Sequence, residues 1–177
     1  DDLTEGTTHL YYTDARARAS LSASGDLDYN SSTGEFSVDA GLSEVIDAKD
    51  YGALGANLDY TTELQSAINA AAGKTLYVGA GTYKISSALT VQSSTKIVLD
   101  PSASIVRDAE IDNMIRNDSD GTVGGFSASS FIIIEGGSWD CNGGVYTSNC
   151  TPIAFGHANN IRVRNLSVFN VTGRWHA

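Results

Sequence analysis

Between residues 61 and 72 the apolar positions Leu64, Ala67, Ile68 and Ala71 recur at i, i+3, i+4 and i+7, the spacing of a helix with one buried face. Asp59 or Thr61 is placed to cap its start, and Gly73 to stop it. From Thr75 onward the pattern changes to short β-rich runs: Thr75–Val78, Tyr83–Ile85, Leu89–Gln92, Lys96–Asp100, Ser104–Arg107, Phe131–Glu135 and Ile161–Asn170. Turns of Gly, Ser, Asn and Asp separate them, which allows an antiparallel sandwich or a solenoid of parallel coils. Upstream, Asp14 precedes the helix formers Ala15–Ala19. Leu27, Tyr29, Phe36 and Val38 then alternate with polar residues on either side of Ser31-Ser32-Thr33-Gly34, a hairpin signal. One helix and one hairpin bury too little to offset about 1–2 kcal/mol of backbone entropy per residue. Residues 1–44 therefore predict a module that needs neighbours or copies of itself.

The last β-rich run helps to choose between the two architectures. Ile161 and Val163 share one face, then Leu166 and Val168 share one, so the apolar phase slips at Asn165. A flat strand would turn half of these side chains away from the core. A bend at Asn165, a residue type that tolerates the left-handed conformation, keeps all four inside. Bent strands around a narrow apolar interior describe a coil of a β-helix.

Composition narrows the function classes. The chain is 41% hydrophobic and 18% charged, ordinary for a globular protein, with a net charge of −10. Residues 1–66 hold 13 acidic and 3 basic side chains, while the remainder hold 8 of each, so the imbalance marks a composition boundary. The excess of negative charge argues against nucleic-acid binding. No apolar run approaches the ~20 residues of a membrane span, and no signal-peptide pattern opens the chain, so membrane insertion is not expected. Met114 is the only methionine, which predicts a fragment or a processed chain.

Candidate chemistry is sparse. Asp108, Glu110 and Asp112 alternate; on a strand they would line one face about 7 Å apart, in the range of paired carboxylates for glycoside hydrolysis, while the plainer reading is a solvated turn. Asp118-Ser119-Asp120-Gly121 fails the spacing of a calcium loop, and His9, His157 and His176 show no zinc-ligand spacing, so no metal is expected. No phosphate loop or nucleophile elbow appears, and no cofactor is expected. Cys141 and Cys150 could close a disulfide loop or remain free thiols. Ile97-Val98-Leu99 and Phe131-Ile132-Ile133-Ile134 place apolar side chains on both faces of a strand. The outward ones predict either cover by a loop or a subunit contact near the axis of a homotrimer.

Residues 45–85, with Asp50-Tyr51-Gly52-Ala53-x-Gly55, the Thr61…Leu64-Gln65-x-Ala67-Ile68 helix and Thr75-Leu76-Tyr77-Val78…Gly81-Thr82-Tyr83, resemble the opening segment of pectate-lyase-like right-handed parallel β-helices, particularly those of bacteriophage tailspikes and tail fibres. Two departures stand out: the Gly55–Asp59 loop is a residue shorter than usual, and Gly79-Ala80 replaces a frequent Pro pair. Residues 3–38 resemble a small trimeric or linking module of virion proteins. The resemblance implies an all-β fold in three parts: an acidic connector at 1–44, an opening strand and capping helix at 45–74, and β-helix coils at 75–177 that continue beyond the chain end. It further implies a homotrimeric tail component, assembled in the host cytoplasm, that joins other tail or baseplate proteins through its N-terminal segment. Its body would meet host surface polysaccharide or another receptor. The alternatives are a polysaccharide depolymerase, hydrolase or lyase, with its active site beyond residue 177, or a secreted polysaccharide lyase.

Overall fold

The computed structural model describes residues 27–38, 45–118 and 129–172, together with Leu21. The expected helix after Asp14, His9, His176 and the 119–121 turn lie outside these residues. The chain divides into two compact units, Asp1–Glu44 and Val45–Ala177.

In the first unit, β1 (Leu27–Asn30) and β2 (Glu35–Val38) form an antiparallel hairpin in which Tyr29 stands opposite Phe36. Their rings lie 4.6 Å apart. The Asn30 side chain accepts from the amides of Ser32 and Thr33, which closes the turn the sequence predicts there.

The second unit is a stack of coils built from parallel strands. Its opening strands are β3 (Val45–Asp47) and β4 (Ala56–Asp59), joined by a 3-10 turn at Ala48–Tyr51. Helix α1 (Thr61–Ala70) follows, then β5 (Thr75–Val78), β6 (Gly81–Ile85) and β7 (Leu89–Val91). The next coil holds β8 (Lys96–Leu99), β9 (Ala103–Arg107) and β10 (Asn113–Asn117). After the short β11 (Ser129–Ser130) come β12 (Ile133–Glu135), β13 (Ser138–Asp140) and β14 (Thr151–Ala154). The short β15 (Ala158–Asn159), β16 (Arg162–Arg164) and β17 (Ser167–Phe169) complete the described residues.

Three sheets result, with strand orders β16-β12-β8-β5-β3, β17-β13-β9-β6-β4 and β14-β10-β7, while β11 and β15 pair separately. Every strand pairing in this unit is parallel, which excludes the sandwich and makes the fold a parallel β-helix. In-register stacking turns the sequence into columns. Ile46, Leu76, Ile97, Ile134 and Val163 make one, and Tyr83, Ile105, Trp139 and Val168 another. Each fully buried Leu or Ile in such a column contributes about 1.5–3 kcal/mol.

Helix α1 occupies the side of the first coil where later coils carry β7, β10 and β14. Leu64, Ala67, Ile68 and Ala71 are all buried. Leu64 and Ile68 share an apolar void of about 10 Å³ with Leu76, Leu89, Ile97 and Trp139, so the helix plugs the interior itself. The expected cap is corrected: Tyr60 precedes the helix and makes no side-chain cap bond. Its ring is buried at 5.7 Å from Tyr83, leaving Asp59 to accept from the Thr61 amide at 3.0 Å.

The bend predicted in the last run is present. Asn165 has φ 55° and separates β16 from β17. The register Glu135↔Arg164 and Ser138↔Ser167 aligns it with Gly136, φ 84°, at the same corner one coil earlier. A Cβ on Gly136 would lie 2.3 Å from the Leu99 carbonyl oxygen, so that corner admits only glycine.

Candidate functional site

The acidic triplet does not form a catalytic pair. Strand β9 ends at Arg107 and residues 108–112 are a turn, so Asp108, Glu110 and Asp112 do not line one strand face. The carboxylates of Asp108 and Glu110 are moreover engaged by neighbours, while Asp112 contributes a backbone bond. Asp108 stands 3.6 Å from the Lys84 ammonium, and its backbone carbonyl accepts from the Tyr146 hydroxyl at 2.8 Å. Glu110 accepts from Arg107 at 2.6 Å and from the Ser148 hydroxyl. The Asp112 carbonyl oxygen takes the Thr151 amide at 2.8 Å. The Ser148 hydrogen bond foremost, and then the Arg107 charge, hold the Glu110 carboxyl below its ordinary range despite some desolvation. A carboxylate kept ionised in this way is no general acid at neutral pH.

Arg107 is the residue sequence reasoning missed. It is 0% exposed. Its Nε donates to the Ala109 carbonyl at 2.8 Å, Nη1 to the carbonyls of Tyr146 and Ser148, and Nη2 to Glu110 and the Ser148 hydroxyl. The guanidinium carbon also lies 5.5 Å from the Tyr146 ring centroid. This buried cation folds the 142–150 loop onto the coil below. The signal was present in the alternation Ala103, Ile105, Arg107, which puts all three on one inward face.

Cys141 and Cys150 flank that loop as buried, free thiols. The Cys141 sulfur lies 4.0 Å from Met114 Sδ and 3.8 Å from the Cys150 carbonyl oxygen. Burial foremost, and then Cys150, push the Cys141 thiol up to about 12, which leaves it without nucleophilic character. Among the described residues no group of three His, Cys, Asp or Glu side chains could hold a metal ion.

The proposed subunit-contact residues divide by strand parity. Ile97, Leu99, Ile132 and Ile134 are all 3% exposed or less and belong to the core, which corrects their reading as contact residues. They lie inside because alternate residues of β8 and β12 face the coil axis. Val98, Phe131 and Ile133 face outward.

Beside Phe131 and Ile133 an open pocket of about 250 Å³ lies on the outer face of the first sheet, lined by these two residues with Asn160 and Arg162. Phe131 is 61% exposed and held at φ 59°. A left-handed backbone on a bulky residue costs about 1–3 kcal/mol and persists only where the surroundings enforce it. The enforcement is the Phe131 amide, which donates to the Asn159 carbonyl at 3.2 Å. Ile133 stacks between Lys96 and Arg162, one on each neighbouring strand. Beside them Glu135 accepts from Arg164 at 2.9 Å and from Asn165, and stands 3.6 Å from Lys96. The Arg164 hydrogen bond foremost holds the Glu135 carboxyl below its ordinary range. Arg162 makes no side-chain hydrogen bond or ion pair among the described residues.

No protein-family model and no curated protein matches the sequence. Solved structures do. The surface adhesin PfbA of Streptococcus pneumoniae matches at TM-score 0.60 and 25% identity, over 71% of this chain and 33% of that one. The A-module of the mannuronan C-5 epimerase AlgE6 of Azotobacter vinelandii matches at TM-score 0.59 and 21% identity, over 69% and 37%. A family 28 exopolygalacturonase of Yersinia enterocolitica matches at TM-score 0.51 and 21% identity, over 61% and 22%. The chain thus spans only about a third of the length of the first two. These neighbours, an adhesin and two polysaccharide-acting enzymes, share its β-helix architecture.

Proposed function

We propose that this chain is part of a phage tail fibre or tailspike whose β-helical body is presented for adsorption to the host surface. The observation that carries the reading is the opening of the solenoid. The Asp50–Gly55 turn and the Leu64/Ile68 plug reproduce, as a packed unit, the segment whose sequence resembles that of tailspike β-helices. A separate unit precedes it, in the region that resembles a virion linking module. An adhesin among the structural neighbours agrees with a surface-binding role. In this reading the N-terminal unit joins the subunits as a homotrimer and docks on other tail or baseplate proteins. The protein is assembled in the host cytoplasm and resides in the virion, and its body meets host polysaccharide. Immunogold labelling of purified particles with an antibody to residues 45–172 tests it. Gold at the tail is the expected result; particles that carry no such protein would overturn it.

A depolymerase is the second reading, favoured by the two carbohydrate-active enzymes among the neighbours. The engagement of Asp108 and Glu110 by Lys84, Arg107 and Ser148 leaves that chemistry to acids elsewhere in the full protein. Clearing halos on host lawns, with release of reducing ends or unsaturated sugars, distinguish it from adsorption alone.

A further inference from the structure

We infer that the pocket of Phe131, Ile133, Asn160 and Arg162 is a subsite for one carboxylate-bearing sugar ring. The inference rests on the adsorption reading and names the class of glycan that reading leaves open. Three observations converge on it.

The first is charge. The whole chain carries −10, yet this patch brings Lys96, Arg162 and Arg164 around a single acid, Glu135. Glu135 is already engaged by Lys96, Arg164 and Asn165, which leaves Arg162, among the described residues, as the cation of this patch without an anion. Its planar fork suits a carboxylate, which it grips through two parallel hydrogen bonds.

The second is the aromatic ring. Phe131 is kept on the surface at a strained backbone angle although its neighbours Ile132 and Ile134 are buried. The chain could have turned a small polar residue outward at this corner, as it does at Asn160 and Asn165, which share the left-handed conformation. A flat apolar ring beside a cation and an amide matches a pyranose, whose C–H face is apolar and whose rim is polar. Asn160 supplies the amide: its Nδ2 donates to Asn159 Oδ1 at 2.7 Å, and its Oδ1 is open to a sugar hydroxyl.

The third is size. A volume of about 250 Å³ lies below the range of pockets that enclose drug-sized ligands, so it fits a single ring of a longer chain running across the sheet. A second copy of this chain is the competing occupant. A threefold axis at this patch would bring three Arg162 side chains together with no carboxylate of their own to neutralise them, which disfavours self-association here.

Calorimetric titration of the 177-residue chain with trigalacturonate, trimannuronate and maltotriose tests the inference. At least one uronate trimer is expected to bind, and maltotriose at least tenfold more weakly. Arg162→Gln and Phe131→Ala are each expected to weaken that binding at least tenfold with thermal melting unchanged, and Arg162→Lys to restore only part of it. Equal binding of neutral and acidic trimers, no binding of any, or unchanged affinity in Arg162→Gln would overturn the subsite. A change of oligomeric state in Phe131→Ala by light scattering would assign the patch to self-association instead. The adsorption reading is scored separately by the immunogold result, which does not depend on Arg162, so either can fail while the other stands.

Discussion

Gln65 on the helix holds both backbone groups of Thr90 on β7: its Oε1 accepts the Thr90 amide at 2.7 Å and its Nε2 donates to the Thr90 carbonyl at 2.9 Å. Strand β7 is the outermost strand of the third sheet, and one of its flanks faces no strand. A single side-chain amide therefore stands in for the ladder that a preceding coil would supply, and it protects an edge that otherwise invites pairing with another chain. The helix seals the solenoid twice, with Leu64 and Ile68 in the interior and Gln65 on the backbone. Gln65→Leu should destabilise the chain by about 1–3 kcal/mol, the cost of two part-buried backbone groups left unpaired. Amide exchange at Thr90 should quicken more than at Leu99, and equal changes at both would argue against the edge-sealing role.

Arg107→Met should destabilise the protein even though it replaces a charge by an apolar side chain of similar length. It removes the arginine donor from the carbonyls of Ala109 and Tyr146, and one of two donors from the Ser148 carbonyl and the Glu110 carboxylate, which Thr172 and Ser148 still serve. Carbonyls left unpaired away from water cost about 1–3 kcal/mol, whereas Glu110, 53% exposed and still bonded to Ser148, adds little. Limited proteolysis should cut first within residues 142–149. Cleavage elsewhere would show that the arginine does not hold that loop.

Stability should fall on acidification, with a sign fixed by three carboxylates. The ordinary values are 4.5 for Glu110 and Glu135 and 3.8 for Asp59, and all three are depressed in the folded state. For Asp59, burial opposes ionisation, but hydrogen bonds from Ser86 and Thr61 outweigh it. Groups with depressed folded-state values contribute fully above their unfolded values, and that contribution is lost as the pH falls through the folded ones. Melting temperature should thus be flat from pH 8 to about pH 5 and drop below pH 4. A Glu110→Gln, Glu135→Gln double variant should be less stable at neutral pH and show a shallower acid decline.

Asn165→Ala should cost about 1–2 kcal/mol, because alanine lacks the tolerance of asparagine for φ 55°. Asn165→Gly should be close to neutral in backbone terms and lose only the bond to Glu135, so it serves as the control. Chemical denaturation of the two variants checks the order.

The two thiols should ignore Ellman's reagent at pH 8 in the native protein and react together on unfolding. Burial raises both, Cys141 to about 12. Rapid native reaction would contradict their place in the core.

What could be read from the residues follows from how each feature repeats. The Leu64/Ile68 face is legible because helical spacing persists over three turns. The bend at Asn165 is legible because a one-residue slip inverts a period of two. Strand β10 escaped notice because Met114 and Ile115 are both buried side by side, which breaks the alternation a strand usually shows. Strands β13 and β15 are three and two residues long and leave no period to detect. The plainer reading of the acidic triplet as a turn agrees with the structure, whereas Arg107 was missed for a physical reason. Charge argues for solvent in a sequence, and only the fold shows that a buried guanidinium recruits Glu110 and the loop carbonyls around itself.

Methyl-labelled NMR tests the stacked, plugged coil most directly. The account predicts contacts running Leu76 to Ile97, Ile97 to Ile134 and Ile134 to Val163 in parallel register, with Leu64 and Ile68 methyls touching Leu76 and Leu89. Antiparallel contacts among those strands, or Leu64 and Ile68 methyls that meet only water, would contradict it.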